Sequence, residues 1–183
     1  LILVVLLWAL RDFEHRRAVN ALDARTYNGF DPARASAYPD LANPFRWYGV
    51  VETPNFFVLA PVDSLGPEVD PEDSDNNKLE VRYKPEETPV TLAAKRSYLG
   101  RAYLDWAQYP ITQTEVLESP AQGYIVNFQD LRYAQLPSLF SRLRGGHDTA
   151  SKPLGAGVQL DRNLNVVGDV YGSGRNRVTV PEP

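Results

Sequence analysis

The chain opens on ten consecutive apolar residues, Leu1-Ile2-Leu3-Val4-Val5-Leu6-Leu7-Trp8-Ala9-Leu10, and turns polar at Arg11. A run that is apolar all round has no amphipathic period, so it fits lipid better than the one buried stripe of a soluble helix. A bilayer-spanning helix needs about 20 such residues, and the run reads as the exit half of a span whose first half lies upstream of Leu1. A buried amphipathic helix is the alternative. Trp8 suits the interfacial belt. Beyond Arg11 a helical period appears, with Phe13, Arg17, Asn20 or Ala21, and Ala24 recurring at three- and four-residue steps, and the helix is expected to continue to about Arg25.

From Tyr27 to Pro44 the pattern dissolves into Asn28-Gly29, Asp31-Pro32, Tyr38-Pro39-Asp40 and Asn43-Pro44, turn formers that stop a helix and disfavour a central strand. Residues 45–52 and 55–62 then read as two strands joined by Thr53-Pro54-Asn55 at hairpin length, with aromatics at 45, 47, 48, 56 and 57 that require at least one packed face. Residues 89–108 form the clearest helical pattern of the remainder, with Leu92, Leu99, Tyr103 and Trp106 on one stripe and Pro110 as its stop. Arg101 and Asp105 lie one turn apart and are spaced to pair. Residues 111–118, 123–131, 157–161 and 165–170 read as short strands. The order predicts an α+β fold: an N-terminal membrane-exit helix, then an antiparallel sheet with one long packed helix. The expected organisation is a membrane and juxtamembrane helix over 1–25, a wrapping linker over 26–44, a soluble domain over 45–171 and a flexible tail over 172–183.

Composition narrows the functional classes. A net charge of −4 supplies no general field for nucleic acid, and no basic patch stands out, so nucleic acid is not an expected partner. The absence of cysteine excludes disulfides, thiolate metal sites and cysteine nucleophiles. The chain begins without methionine or a charged leader, which reads as a cut within a longer protein. Arg11, Arg16, Arg17 and Arg25 beside the apolar run are the usual mark of the cytoplasmic side of a membrane, so the domain is expected there.

Candidate chemistry is sparse. A calcium loop started at Asp73 would put Lys78 at the glycine position and Lys84 at the bidentate glutamate position, so the acidic segment 66–77 reads as an exposed loop. A catalytic zinc site needs three protein ligands, and the two histidines, His15 and His147, read instead as a helix-surface and a loop residue. There is no His-Glu-x-x-His, no Gly-x-Ser-x-Gly and no phosphate-binding loop, and Gly172-Ser173-Gly174 reads as a turn or tail. Asp130-Leu131-Arg132-Tyr133, at a strand end, reads as a buried or half-buried ion pair with an Arg or Asp elsewhere in the chain, structural before catalytic.

Three stretches in this order, Asn43-Pro-Phe-Arg-Trp-Tyr-Gly-Val-Val-Glu-Thr53, Tyr98-Leu-Gly-Arg-Ala-Tyr-Leu-Asp-Trp-Ala-Gln-Tyr-Pro110 and Asp130-Leu-Arg-Tyr133, resemble the C-terminal region of the YdjM-type membrane-bound metal-dependent hydrolases over nearly the whole chain. The resemblance implies a histidine- and acid-bearing membrane segment followed by a soluble tail. It would place a divalent-metal site upstream of Leu1 and none in this chain.

Three readings stay open. The first is a cytoplasmic accessory domain of a membrane hydrolase, with the membrane as partner and Arg46, Trp47, Glu52, Arg101, Asp105, Asp130 and Arg132 as binding candidates. The second is a protein-interaction module presenting an exposed Trp47 and neighbouring aromatics. The third is a self-contained hydrolase in which Glu52, Asp105 and Asp130 converge with raised pKa values.

Overall fold

The structure, a computed structural model, describes residues 1–40, 43–65, 79–118, 122–134, 155–171 and 178–180. The chain divides into two compact units, Leu1–Lys84 and Pro85–Pro183, and the boundary falls inside the 45–171 span read from the sequence as one domain. Both are built from helices and antiparallel sheets, so the α+β class holds.

The first unit starts with helix α1 (Ile2–Asp23), followed by strands β1 (Arg34–Pro39), β2 (Arg46–Glu52), β3 (Phe56–Asp63) and β4 (Glu80–Tyr83), paired in that order in one antiparallel sheet. The β2–β3 hairpin closes where the sequence places it. Thr53 holds the turn: its N–H and hydroxyl both donate to the Phe56 carbonyl, at 2.9 and 2.7 Å, and the hydroxyl accepts from the Phe56 N–H at 3.1 Å. Strand alternation then puts Trp47, Gly49 and Val51 on one face, opposite Val62, Ala60 and Val58 of β3. Ala18 and Leu22 of α1 pack on that face.

Small residues make the docking possible. A Cβ at Gly49 would stand 2.7 Å from Leu22 Cδ1 and 3.2 Å from the Ala60 carbonyl oxygen, so the Leu22 side chain would have to shift to admit one. Past the helix, the Tyr27 hydroxyl donates to the Leu22 carbonyl at 3.0 Å, and Tyr27 and Phe30 pair across the Asn28-Gly29 turn. The helix ends at Asp23, slightly short of Arg25. The stretch read as linker contains β1: its Ala and Ser positions carry little strand signal, and Pro39 is tolerated because the strand lies at the sheet edge. β4 was also outside the sequence reading.

The second unit has α2 (Pro89–Arg96), α3 (Tyr98–Trp106), β5 (Pro110–Leu117), β6 (Gly123–Asp130), a 3₁₀ turn (Leu131–Tyr133), β7 (Ala156–Leu160), β8 (Val166–Tyr171) and β9 (Val178–Val180), with the strands paired consecutively. Four of its strands fall within a residue or so of the sequence reading, whereas β9 was not foreseen. The single long helix expected over 89–108 is two short ones. Ser97 leaves the helical region at φ −61° and ψ 165°, and its hydroxyl donates to the Ala94 carbonyl at 2.8 Å while accepting from the Gly100 N–H at 3.0 Å. It thereby closes one helix and caps the next. The chain folds so tightly there that a Cβ on Gly100 would lie 2.1 Å from the Ala94 carbonyl oxygen. The break also undoes the continuous stripe: Tyr103 is buried, but Leu92 and Trp106 are exposed. Ala94 and Tyr103 instead meet Val126, Phe128, Val158 and Leu160 of the sheet.

Candidate functional site

Helix α1 changes character along its length. Every residue from 1 to 10 is exposed, with Leu3 at 80% and Trp8 at 76% of their full accessibility. One turn later Glu14, Ala18 and Leu22, spaced four apart, are all buried. Among the described residues no helix is long and apolar enough to cross a membrane.

Where the exposed half meets the docked half, an open groove of about 370 Å³ is lined by Trp8, Arg11, Asp12 and His15 of the helix, Ala37 and Pro39 of β1, and Trp47 of β2. The His15 and Trp47 rings are 5.3 Å apart, and Asp12 pairs with Arg16 at 2.9 Å. Trp47 is only 4% exposed, which corrects the expectation of an exposed interaction residue. Alternation along β2 puts it under α1 while its neighbour Arg46 points to solvent. Its indole Nε1–H and the Glu14 Oε2 are buried without hydrogen-bond partners.

Glu52, at the end of β2, joins three strands. Its carboxylate receives Arg34 at 2.9 Å, its register partner on β1, and Lys84 at 2.8 Å, just past β4. Lys84 also lies 5.0 Å from the Phe57 ring, and Phe57 is the register partner of Glu52 on β3. Two cations on one carboxylate describe a strand clamp.

In the second unit Asp130 is 1% exposed and fully engaged. It accepts from the Gln108 N–H at 2.8 Å, the Arg132 N–H at 3.0 Å and the Arg132 Nε–H at 2.7 Å. Burial acts to raise its pKa, but the hydrogen bonds from Arg132 and Gln108, with the arginine's charge, outweigh burial and hold the carboxyl below its ordinary value. The ion pair expected with an Arg or Asp elsewhere in the chain is instead internal to the Asp130-Leu131-Arg132 motif. The Arg132 guanidinium lies 4.8 Å from the Trp106 ring and 5.1 Å from that of Tyr133, and these two rings stack in parallel 5.8 Å apart. Tyr103 extends the cluster toward Phe128, and burial, with the Asp130 charge, pushes its phenol up to about 12.

Arg46, Trp47 and Glu52 belong to the first unit, and Arg101, Asp105, Asp130 and Arg132 to the second. Within the second unit Asp130 and Arg132 are brought into direct contact. Arg101 and Asp105 are both exposed on α3 and do not pair with each other. Glu14, His15, Trp106 and Tyr133 were not singled out as site residues, and the helical period read on Phe13, Arg17, Asn20 and Ala24 falls on exposed positions, while Glu14 and Ala18, expected on the surface, are buried with Leu22. His147, the acidic segment 66–77 and Gly172-Ser173-Gly174 lie outside the described residues. Among the described residues no three or more His, Cys, Asp and Glu side chains gather as a metal site. Of the carboxylates in the third reading, Asp130 is engaged by Gln108 and Arg132, and Glu52 by Arg34 and Lys84. No known protein family, characterised protein or solved structure matches the chain.

Proposed function

We propose that this chain is a membrane-attached accessory domain, seated by the first half of α1 in a lipid bilayer on the cytoplasmic side of the inner membrane. One observation carries the reading: a single helix that is apolar and exposed all round over residues 1–10 and docked on its own sheet from Glu14 onward. In water the exposed half would leave Leu, Ile and Val side chains unburied, each worth about 1.5–3 kcal/mol on transfer from water. Lipid satisfies them. Arg11, Arg16 and Arg17 follow directly, which supports the cytoplasmic orientation.

The resemblance to YdjM-type hydrolases supports the accessory role, in which metal-dependent hydrolysis belongs to a membrane segment and these residues support it. The engaged states of Asp130 and Glu52 agree with such a division of labour. Two measurements test the proposal. In vesicle flotation the full chain is expected to rise with the lipid, and a chain left wholly in the aqueous layer would overturn the attachment. In a hydrolase screen with Zn²⁺, Mn²⁺ or Mg²⁺, metal-stimulated turnover by these 183 residues alone would overturn the accessory role.

A further inference from the structure

Helix α1 crosses the strands of its sheet instead of running along them, and the strand register makes this visible. Pro39, Trp47 and Val62 are partners in one row across β1, β2 and β3, and Ala37, Gly49 and Ala60 form the row two residues along. Near its exposed half the helix meets both rows on β1, where Trp8, Arg11 and His15 border the open groove with Ala37 and Pro39. Further on it meets the same two rows on β3, where Ala21 and Leu22 border a small cavity with Ala60 and Val62. A helix lying along the strands would change rows and keep its strand; this one keeps its rows and changes strands. From His15 to Leu22 it rises about 10 Å, which is the width of the two spacings of about 4.8 Å between β1 and β3.

The strand order β1-β2-β3-β4 is therefore also the order of distance from the apolar run. Trp8, which belongs to that run, already shares the groove with Pro39 of β1. The strand is suited to such a place. It is the edge of its sheet, and from Ala33 to Pro39 it carries no acidic residue and is mostly small, with Ala33, Ala35, Ser36 and Ala37. Neither bulk nor negative charge within it opposes a phospholipid surface. The head-group layer is about 5–8 Å thick on each side of the hydrocarbon. Beside the end of the apolar run β1 falls within that layer, whereas β4, three strand spacings or about 14 Å further out, falls beyond it.

We infer that the first unit rests on the bilayer by its edge strand β1, with its strands along the membrane plane and β4 outermost. The inference rests on the bilayer attachment proposed above and deepens it by naming the protein surface that meets the phospholipid head groups. The experiment uses the full chain, which contains no cysteine, so a single one can be introduced and labelled at will. Ala33→Cys, Asn55→Cys and Arg82→Cys stand at exposed positions at one end of the sheet, beside or within the row formed by Arg34, Glu52, Phe57 and Arg82. They sample β1, the β2–β3 turn and β4.

Each variant carries a fluorophore and is mixed with phosphatidylcholine–phosphatidylglycerol vesicles containing a lipid with a nitroxide on its head group. Quenching is expected to be strongest at Ala33→Cys, weaker at Asn55→Cys and lost at Arg82→Cys. Leu6→Cys, read with a nitroxide on the acyl chain, reports the attachment itself. Equal quenching at the three sheet positions while Leu6→Cys is quenched would mean that the strands stand upright on the bilayer, and it would overturn this inference alone. The reverse order would do the same. An unquenched Leu6→Cys would overturn the attachment and this inference with it. Asp31→Cys and Tyr83→Cys, also exposed, are second reporters of the β1 and β4 sides should a first variant fail to fold.

Discussion

Asp130 shows how a residue that looks reactive in a sequence becomes a fixed point in a fold. Its oxygens are occupied by two backbone N–H groups and the Arg132 guanidinium, and the arginine is in turn laid against Trp106 and Tyr133. Asp130→Asn should therefore destabilise the second unit by about 2–4 kcal/mol, because it leaves a largely buried cation without its partner; urea denaturation reads this directly. The pH dependence has a definite sign. A carboxyl held below its ordinary value of 3.8 contributes fully above that value and loses its contribution as pH falls through the folded-state pKa. Acid unfolding of the native chain should thus steepen below about pH 4, and Asp130→Asn should flatten that slope. An ion pair at this strand end was legible, but its partner was sought elsewhere in the chain, whereas Asp130 closes on Arg132 two positions away. Glu52 was not legible as a clamp, since its partners Arg34 and Lys84 lie 18 and 32 positions away and only the strand register brings them together.

At the scale of elements, two glycines set how closely backbones approach. Gly49→Ala puts a methyl against Leu22 and the Ala60 carbonyl, and it should cost about 1–3 kcal/mol. Leu22→Ala in the same chain should recover part of that cost, because the methyl would fill space the leucine leaves; a double-mutant cycle in thermal melts tests the coupling. Gly100→Ala meets backbone instead of a movable side chain and should be the more damaging of the two. Ser97→Ala should cost about 1 kcal/mol through loss of the cap, with the helical circular dichroism falling accordingly. These elements explain the uneven reach of the sequence. The strands β2, β3 and β6 announce themselves by their aromatic and β-branched content, whereas β1 is built largely from Ala and Ser, and the break at Ser97 hides inside an unbroken helical pattern because a serine can either sit in a helix or cap one.

For the whole molecule, the α+β class was readable from the order of patterns, but the division at Lys84 was missed, although Lys84-Pro85-Glu86-Glu87-Thr88-Pro89 has the polar, proline-bearing composition in which such boundaries fall. The bilayer reading supplies the prediction at this scale. Leu3→Asp and Leu6→Asp replace exposed side chains, so the fold should be untouched. Each aspartate at the centre of an apolar span costs about 2.5–3.5 kcal/mol, and the double variant should lose more than about 100-fold in vesicle partitioning while its thermal melt is unchanged. Loss of folding in that variant would mean that the run is buried within the protein.

Helix α1 contains neither glycine nor proline between Ile2 and Asp23, and it is gripped by the sheet from Glu14 to Leu22. It is therefore a shaft instead of a tether. The docked turn centred on Ala18 stands only about 12 Å beyond Leu10, at 1.5 Å per residue, so the strands of the first unit are held at a set height above the end of the apolar run. Rotation about the shaft is equally constrained: inserting one residue between Leu10 and Glu14 would turn the apolar half by about 100° relative to the sheet. The orientation of the first unit is thus encoded in the helical phase of three residues, Arg11, Asp12 and Phe13, and a change in their number would re-aim the sheet without altering a single contact within it.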